Sequence, residues 1–168
     1  METFREALIT EPGKIILHEV EKKTPGSGEV MIKVVSSAIC GSDMHLYSGR
    51  HPYAKLPTTV GHELAGVIEE IGADVTKFKV GDRVCVEPLI ACGHCYYCQR
   101  GRYDYCETLR LKYRSGSSGY ADYYYAEERW VHLLPDGISF DEGALMEPLA
   151  CTVHAAMKAR IQLCDSVC

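Results

Sequence analysis

The stretch Val60-Gly-His-Glu-Leu-Ala-Gly-Val-Ile-Glu-Glu-Ile71 decides how this chain is to be read. It is apolar enough for a long strand, and Gly61 and Gly66 mark bends or places where another backbone comes close. Toward the N-terminus, Phe4–Thr10 and Ile15–Val20 are short strand candidates broken by Glu11-Pro-Gly-Lys14, and the Pro25–Gly28 turn leads into the β-branched run Glu29–Ile39. Ser42–Tyr47 has room for one helical turn capped by Ser42 or Asp43. Toward the C-terminus, Gly81-Asp82 turns into a strand at Arg83–Glu87, and strand signals return at Tyr120–Ala126 and Trp130–Leu134. Many short strands punctuated by Gly and Pro predict a mainly β, barrel-like domain.

After Pro135-Asp-Gly137 the pattern changes. Ser139 and Glu142 form a capping-box pair ahead of Phe140–Met146, a short helix expected to end before Pro148. A second helix is expected from Leu149 to about Ile161, with Leu149, Val153, Ala156, Met157 and Ile161 at helical spacing. Cys164-Asp-Ser-Val-Cys168 reads as the entry to a further strand. The predicted organisation is residues 1–148 as one barrel domain, including a loop at 89–110, and residues 149–168 as a connecting helix and the start of another unit.

Between the strands lies a polar excursion carrying Cys92, Cys95, Cys98 and Cys106. Four thiolates converging from one loop make a closed tetrahedral cage, which suits Zn²⁺ and leaves no position for a substrate. Paired disulfides would need an oxidising compartment to which nothing in the chain points. An iron–sulfur cluster is the other reading of such spacing. Zinc is preferred. Other metal-ligating types stand at or near element ends: Cys40, His62, Glu63 and Glu147. Taken singly, each has an ordinary reading: a small buried thiol, a surface turn, a solvated helix end.

The bulk numbers close off other classes. A net charge of −5 argues against a nucleic-acid partner or a membrane surface. No apolar run approaches the roughly 20 residues of a membrane span, and Met1-Glu-Thr-Phe-Arg-Glu lacks the regions of a signal peptide. A reducing, cytoplasmic location is expected. Nine cysteines is a high and odd count, and the spacings match metal ligation better than a disulfide framework.

In chain order, Cys40-Gly-Ser-Asp-Met-His45, Gly61-His-Glu63, Gly81-Asp-Arg-Val84, the four-cysteine loop and Met146-Glu-Pro-Leu149 together resemble the zinc-dependent medium-chain alcohol/polyol dehydrogenases, in the sorbitol, xylitol and butanediol dehydrogenase branch. The resemblance implies a GroES-like, partly open β-barrel. It implies a catalytic zinc held by Cys40 and His62, with Glu63 as ligand or supporting group and Glu147 as ligand or holder of its water. Cys92, Cys95, Cys98 and Cys106 would hold a second, structural zinc. Ser42 matches the hydroxyl that takes the substrate proton, and His45 stands where a relay would continue; their ordinary readings are a helix cap and a surface histidine. Leu46 departs from the tyrosine of mammalian sorbitol enzymes, so their proton-transfer details do not carry over.

The resemblance further implies an alcohol or polyol substrate, NAD or NADP, and a homo-oligomer (dimer or tetramer) in the full-length enzyme. No G-x-G-x-x-G lies between a strand and a helix; Ser115-Gly-Ser-Ser-Gly119 reads as a flexible turn. The chain is therefore expected to hold the catalytic domain alone, to bind zinc, to be inactive by itself and to expose apolar surface around Leu149–Ile161. Tyr96, Tyr97, Tyr103 and Tyr105 suit a subunit interface or local packing equally, and the basic run Arg100, Arg102, Arg110, Lys112 and Arg114 reads as a solvated face. A non-enzymatic zinc-binding barrel and a threonine-type dehydrogenase are the competing readings.

Overall fold

The computed structural model describes residues 1–52, 55–111, 118–162 and 164–166. Lys112, Arg114, most of the 115–119 turn and the end of the 164–168 segment therefore lie outside the described residues. The strands are β1 (Thr3–Glu11), β2 (Lys14–Glu21), β3 (Glu29–Ala38), β4 (Thr58–Thr59), β5 (Glu63–Ile71), β6 (Arg83–Val86), β7 (Leu89–Ile90), β8 (Arg110–Leu111), β9 (Tyr123–Glu127) and β10 (Val131–Leu133). Helices are α1 (Gly41–Tyr47), α2 (Phe140–Ala144) and α3 (Met146–Ala159).

Antiparallel pairing arranges the strands as β2-β1-β4, as β10-β6-β5-β3-β9, and as the small β7-β8 ribbon. The five-stranded sheet curls because its central pair is irregular: the β3–β5 register shifts at Met31/Ile32 and again at Val34/Ser36. Gly66 sits at the second shift, where a Cβ would lie 2.1 Å from the Lys33 carbonyl oxygen. The two larger sheets are joined by the segment before β9, through Ala7 N–H to the Tyr120 carbonyl, Asp122 N–H to the Arg5 carbonyl, and the Glu6–Ala121 bridge. The result is a mainly β half-barrel.

Inside it, Val30, Ile32, Leu64, Ile68, Val84, Val86, Tyr124, Ala126 and Val131 form one buried cluster. Parts of these strands are buried on both faces: Met31 lies buried between Val30 and Ile32, and Cys85 between Val84 and Val86. A second cluster, Ala7, Ile9, Leu46 and Val60, seats α1 on β1. A third, Ala65, Cys85, Leu134 and Ala144, seats α2 on the sheet, so Cys85 serves as a small apolar residue.

Two local expectations are corrected. The cap of α1 is Cys40, and Asp43 is the third helical residue, its carboxylate accepting from the Cys40 N–H at 3.0 Å. The first C-terminal helix stops at Ala144, and α3 starts at Met146 and runs through Pro148. Proline fits there because first-turn N–H groups have no intrahelical partner. The cysteine excursion carries short 3₁₀ turns at Cys98–Arg100 and Tyr103–Tyr105, and β7 and β8 close its base. The capping box at α2 forms as expected: Ser139 accepts from Glu142 N–H, and Glu142 accepts from Ser139 N–H at 2.8 Å.

Candidate metal centres and the cleft between them

Two groups of metal-ligating side chains converge among the described residues. Cys92, Cys95, Cys98 and Cys106 place their sulfurs within 4.8 Å of one another, and Cys40, His62 and Glu63 do the same with one ligand atom each. In the first group, Cys92 Sγ and Cys98 Sγ are 3.9 Å apart. Four Zn–S bonds of about 2.3 Å in a tetrahedron require roughly 3.8 Å between sulfurs, so the cage fits zinc. The backbone turns its N–H groups onto the sulfurs: Cys92 N–H to Cys106 Sγ and Cys95 N–H to Cys92 Sγ, each at 3.3 Å. The first of these pulls the Cys106 thiol down to about 6, whereas burial pushes Cys98 up to about 12. The loop therefore offers Cys106 readily as a thiolate, whereas the Cys98 proton would have to be displaced by a bound cation.

Only Ala91 and Cys106 are buried among the described residues of this excursion, so it has almost no core. Its tyrosines cling to one another instead: Tyr96–Tyr97 at 5.3 Å, Tyr97–Tyr105 at 5.9 Å and Tyr103–Trp130 at 5.8 Å between ring centroids. Arg100 lies over Tyr96 at 3.7 Å and Arg102 over Tyr105 at 4.4 Å. All four tyrosines nonetheless stay exposed.

The second group is built differently. Cys40 ends the β3–α1 connection, whereas His62 and Glu63 stand at the start of β5, and both His62 and Glu63 are buried. Gly61 holds a positive φ of +96° to deliver them, and a Cβ there would strike the Tyr120 ring at 2.6 Å. The two halves of the site are tied by Asp43, which the sequence offered only as a helix cap. Asp43 is buried; its Oδ2 takes the Cys40 N–H and the Tyr120 hydroxyl (2.7 Å), and its Oδ1 faces His62 Nδ1 at 3.6 Å. That last distance is long for a hydrogen bond and short enough to hold the ring electrostatically. A carboxylate behind one ring nitrogen directs the other, Nε2, to a metal. Burial, with Asp43 beside it, raises the Tyr120 phenol well above its ordinary value, so it remains a donor.

Glu147 lies outside the tight cluster but within its field. Burial raises its carboxyl, His62 opposes that rise, and Glu63 and Glu87 add to it. Ser42 is half-buried on the first turn of α1, and His45 is exposed on the next. A cleft of about 880 Å³ opens beside Glu147, walled by β6 and its following turn, the cysteine loop, β10 and α3. The sequence reading missed this cleft, because its walls come from separated segments that carry apolar residues such as Val86, Leu89, Leu133 and Met146 beside a few ionisable ones.

A family model for the alcohol dehydrogenase GroES-like domain matches residues 26–136. The chain belongs to the zinc-dependent alcohol and polyol dehydrogenases. This dehydrogenase domain is 41% identical over 156 residues to a sorbitol dehydrogenase of Halalkalibacterium halodurans, covering 92% of this chain and 45% of that protein. An Escherichia coli oxidoreductase/dehydrogenase of unknown specificity superposes with a TM-score of 0.92 at 34% identity, covering 98% of this chain and 49% of that one. An alcohol dehydrogenase from E. coli in complex with NADH gives 0.85 at 32% identity, covering 94% and 46%. The dehydrogenase domain thus spans less than half of each of these proteins. No helix among its described residues is long and apolar enough to cross a membrane.

Proposed function

We propose that the chain is the catalytic domain of an enzyme that moves hydride from a secondary alcohol or polyol to NAD or NADP, with 1–148 as the catalytic barrel and 149–168 as the connector to a nucleotide-binding partner domain. The observation that carries this reading is the second ligand group, Cys40, His62 and Glu63, standing apart from a four-cysteine cage that is already complete. A purely structural module needs only the cage. Three protein ligands on one side of a zinc leave a position for substrate. Zinc held there would supply a Lewis acid that lowers the pKa of an alcohol oxygen and polarises the carbonyl replacing it.

The remaining roles fall to the chain. Asp43 and Tyr120 fix Cys40 and His62 in place. Ser42, on the first turn of α1, would accept the substrate hydroxyl proton, and the exposed His45 would pass it to solvent. Glu147 would hold the metal or its water at the mouth of the cleft. The 168 residues include no strand–G-x-G-x-x-G–helix unit, so hydride transfer would need a dinucleotide site supplied from elsewhere.

Metal analysis tests the reading. Two zincs per chain are expected, with His62→Ala retaining one and keeping its far-ultraviolet circular dichroism. A single zinc in the unaltered chain, or collapse of the fold in His62→Ala, would return the site to a structural role. Robust NAD-dependent turnover by these residues alone would overturn the division of labour.

A further inference from the structure

The cysteine excursion carries a tyrosine face that no other described element covers. Tyr96, Tyr97 and Tyr105 touch one another ring to ring and are 59%, 39% and 53% exposed. Tyr103 is placed otherwise: its ring packs on Trp130 and its hydroxyl bonds Glu87, so it fastens the loop to the barrel. At roughly 200 Å² for a whole tyrosine, the other three rings leave about 300 Å² of side-chain surface in water. A contiguous patch of that size rivals the largest on a typical monomer, and such patches are often functional.

The face is also held in shape before anything binds. Arg100 lies 3.7 Å above the Tyr96 ring and is kept there by an N–H donated to the Tyr96 carbonyl at 3.0 Å. Arg102 lies 4.4 Å above Tyr105 and faces Asp104 at 3.6 Å. Both arginines are exposed, so each guanidinium covers a ring with one side and offers the other to solvent. Long side chains ordered in advance lose little further freedom on contact, which removes one of the main costs of association. Tyrosine and arginine are also the types enriched in the centres of interfaces and among their energetic hot spots.

The chemistry of the face selects its occupant. Among the described residues it carries both signs, with Arg100, Arg102 and Arg110 beside Asp104 and Glu107, all exposed. A filled cage, four thiolates around a dication, adds further negative charge. A nucleic acid or an acidic peptide needs a basic field without such counter-charges. A second copy of the chain needs none. Across a two-fold axis, the open guanidinium sides of one copy meet tyrosine rings of the other, its arginines meet the other's acids, and every contact is made twice. A standard interface takes about 800 Å² from each partner, with an aromatic centre inside a polar rim. The three rings supply the centre, and the arginines, acids and exposed Gln99 around them supply the rim.

We propose that the Tyr96–Tyr97–Tyr105 face is a two-fold interface between copies of this chain. The test is sedimentation equilibrium of the zinc-loaded chain from about 1 to 100 µM, with hydrogen exchange measured at both ends of that range. A dimer should form as concentration rises and should slow exchange across residues 95–105 while leaving α3 unaffected. Tyr96→Ser/Tyr105→Ser should weaken association at least about tenfold while keeping circular dichroism and zinc content. Leu149→Ser/Val153→Ser, on the exposed apolar side of α3, should leave association unchanged. A chain that stays monomeric at the highest concentration, or a dimer that survives in the tyrosine variant, would overturn the interface. So would association that the α3 variant weakens as much, or exchange that slows in α3 rather than in the loop. Should the tyrosine variant lose zinc, the exchange pattern of the unaltered chain decides alone.

Discussion

The two candidate metal centres invert each other's relation to the fold. The cysteine cage draws all four ligands from one excursion, closed at its base by β7 and β8, with its sulfurs held by N–H groups from the same loop. The excursion buries almost nothing, so its order would depend on a bound metal. The Cys40–His62–Glu63 group takes ligands from two distant connections and buries two of the three. Its order depends on the barrel, through the Asp43–Tyr120 junction and the positive φ of Gly61. On the proposed reading, metal would make the structure in one site, and in the other the structure would make the metal site. The proposed function assigns chemistry to the second, because a geometry fixed in advance can leave a ligand position open.

The most damaging way to probe this contrast is Cys95→Ser. Small structural zinc sites bind with about 10–16 kcal/mol, and breaking the tetrahedron forfeits much of that. Zinc should fall from two to one per chain, and hydrogen exchange should become fast across residues 89–111. The β3–β5–β6 core should stay protected, because its apolar cluster includes no loop residue. Loss of protection in that core would mean that the cage organises the barrel too, and the contrast would fail.

Asp43→Ala probes the other side with a smaller effect. It strips an acceptor from the Cys40 N–H and the Tyr120 hydroxyl and removes the charge behind His62. Leaving buried donors unsatisfied costs about 1–3 kcal/mol, and losing a supporting carboxylate weakens metal binding about 10–100-fold. Denaturant unfolding and zinc competition would read both. The cage zinc should hold as before; equal weakening of the two zincs would show that Asp43 acts on global stability rather than on one site.

This contrast also explains what was legible in the sequence. The cage could be read from spacing because all its geometry is local. The strands could be read because apolar, β-branched runs such as Glu29–Ile39 are bounded by Gly and Pro turns. Asp43 was seen only as a cap, since its tie to His62 crosses from α1 to β5 and leaves no periodic trace. The α3 boundary was misplaced because Pro148 carries the same letter whether it breaks a helix or occupies its first turn. The apolar spacing of α3 correctly predicted a helix and exposed apolar surface, but it could not show which of its residues line the cleft, a matter of packing beyond the helix itself.

The smallest effect sits between the two sites, at the capping box that aims α2 and, through it, the start of α3 with Glu147. Ser139→Ala should cost about 1 kcal/mol in denaturant unfolding and release neither zinc. Glu142 sharpens the test through pH. Its carboxyl is held below the ordinary range, first by the Ser139 N–H and then by the Ser139 hydroxyl. A carboxyl depressed on folding adds stability above its unfolded pKa, and that stability is lost as pH falls through the folded value. The unaltered chain should therefore lose slightly more stability than Glu142→Gln between neutral pH and the acid side of the carboxylate range, measured with zinc retained. Parallel pH curves for the two would mean that the box leaves Glu142 untouched, and that α2 is placed by Leu134, Ala65 and the Arg83–Phe140 stack alone.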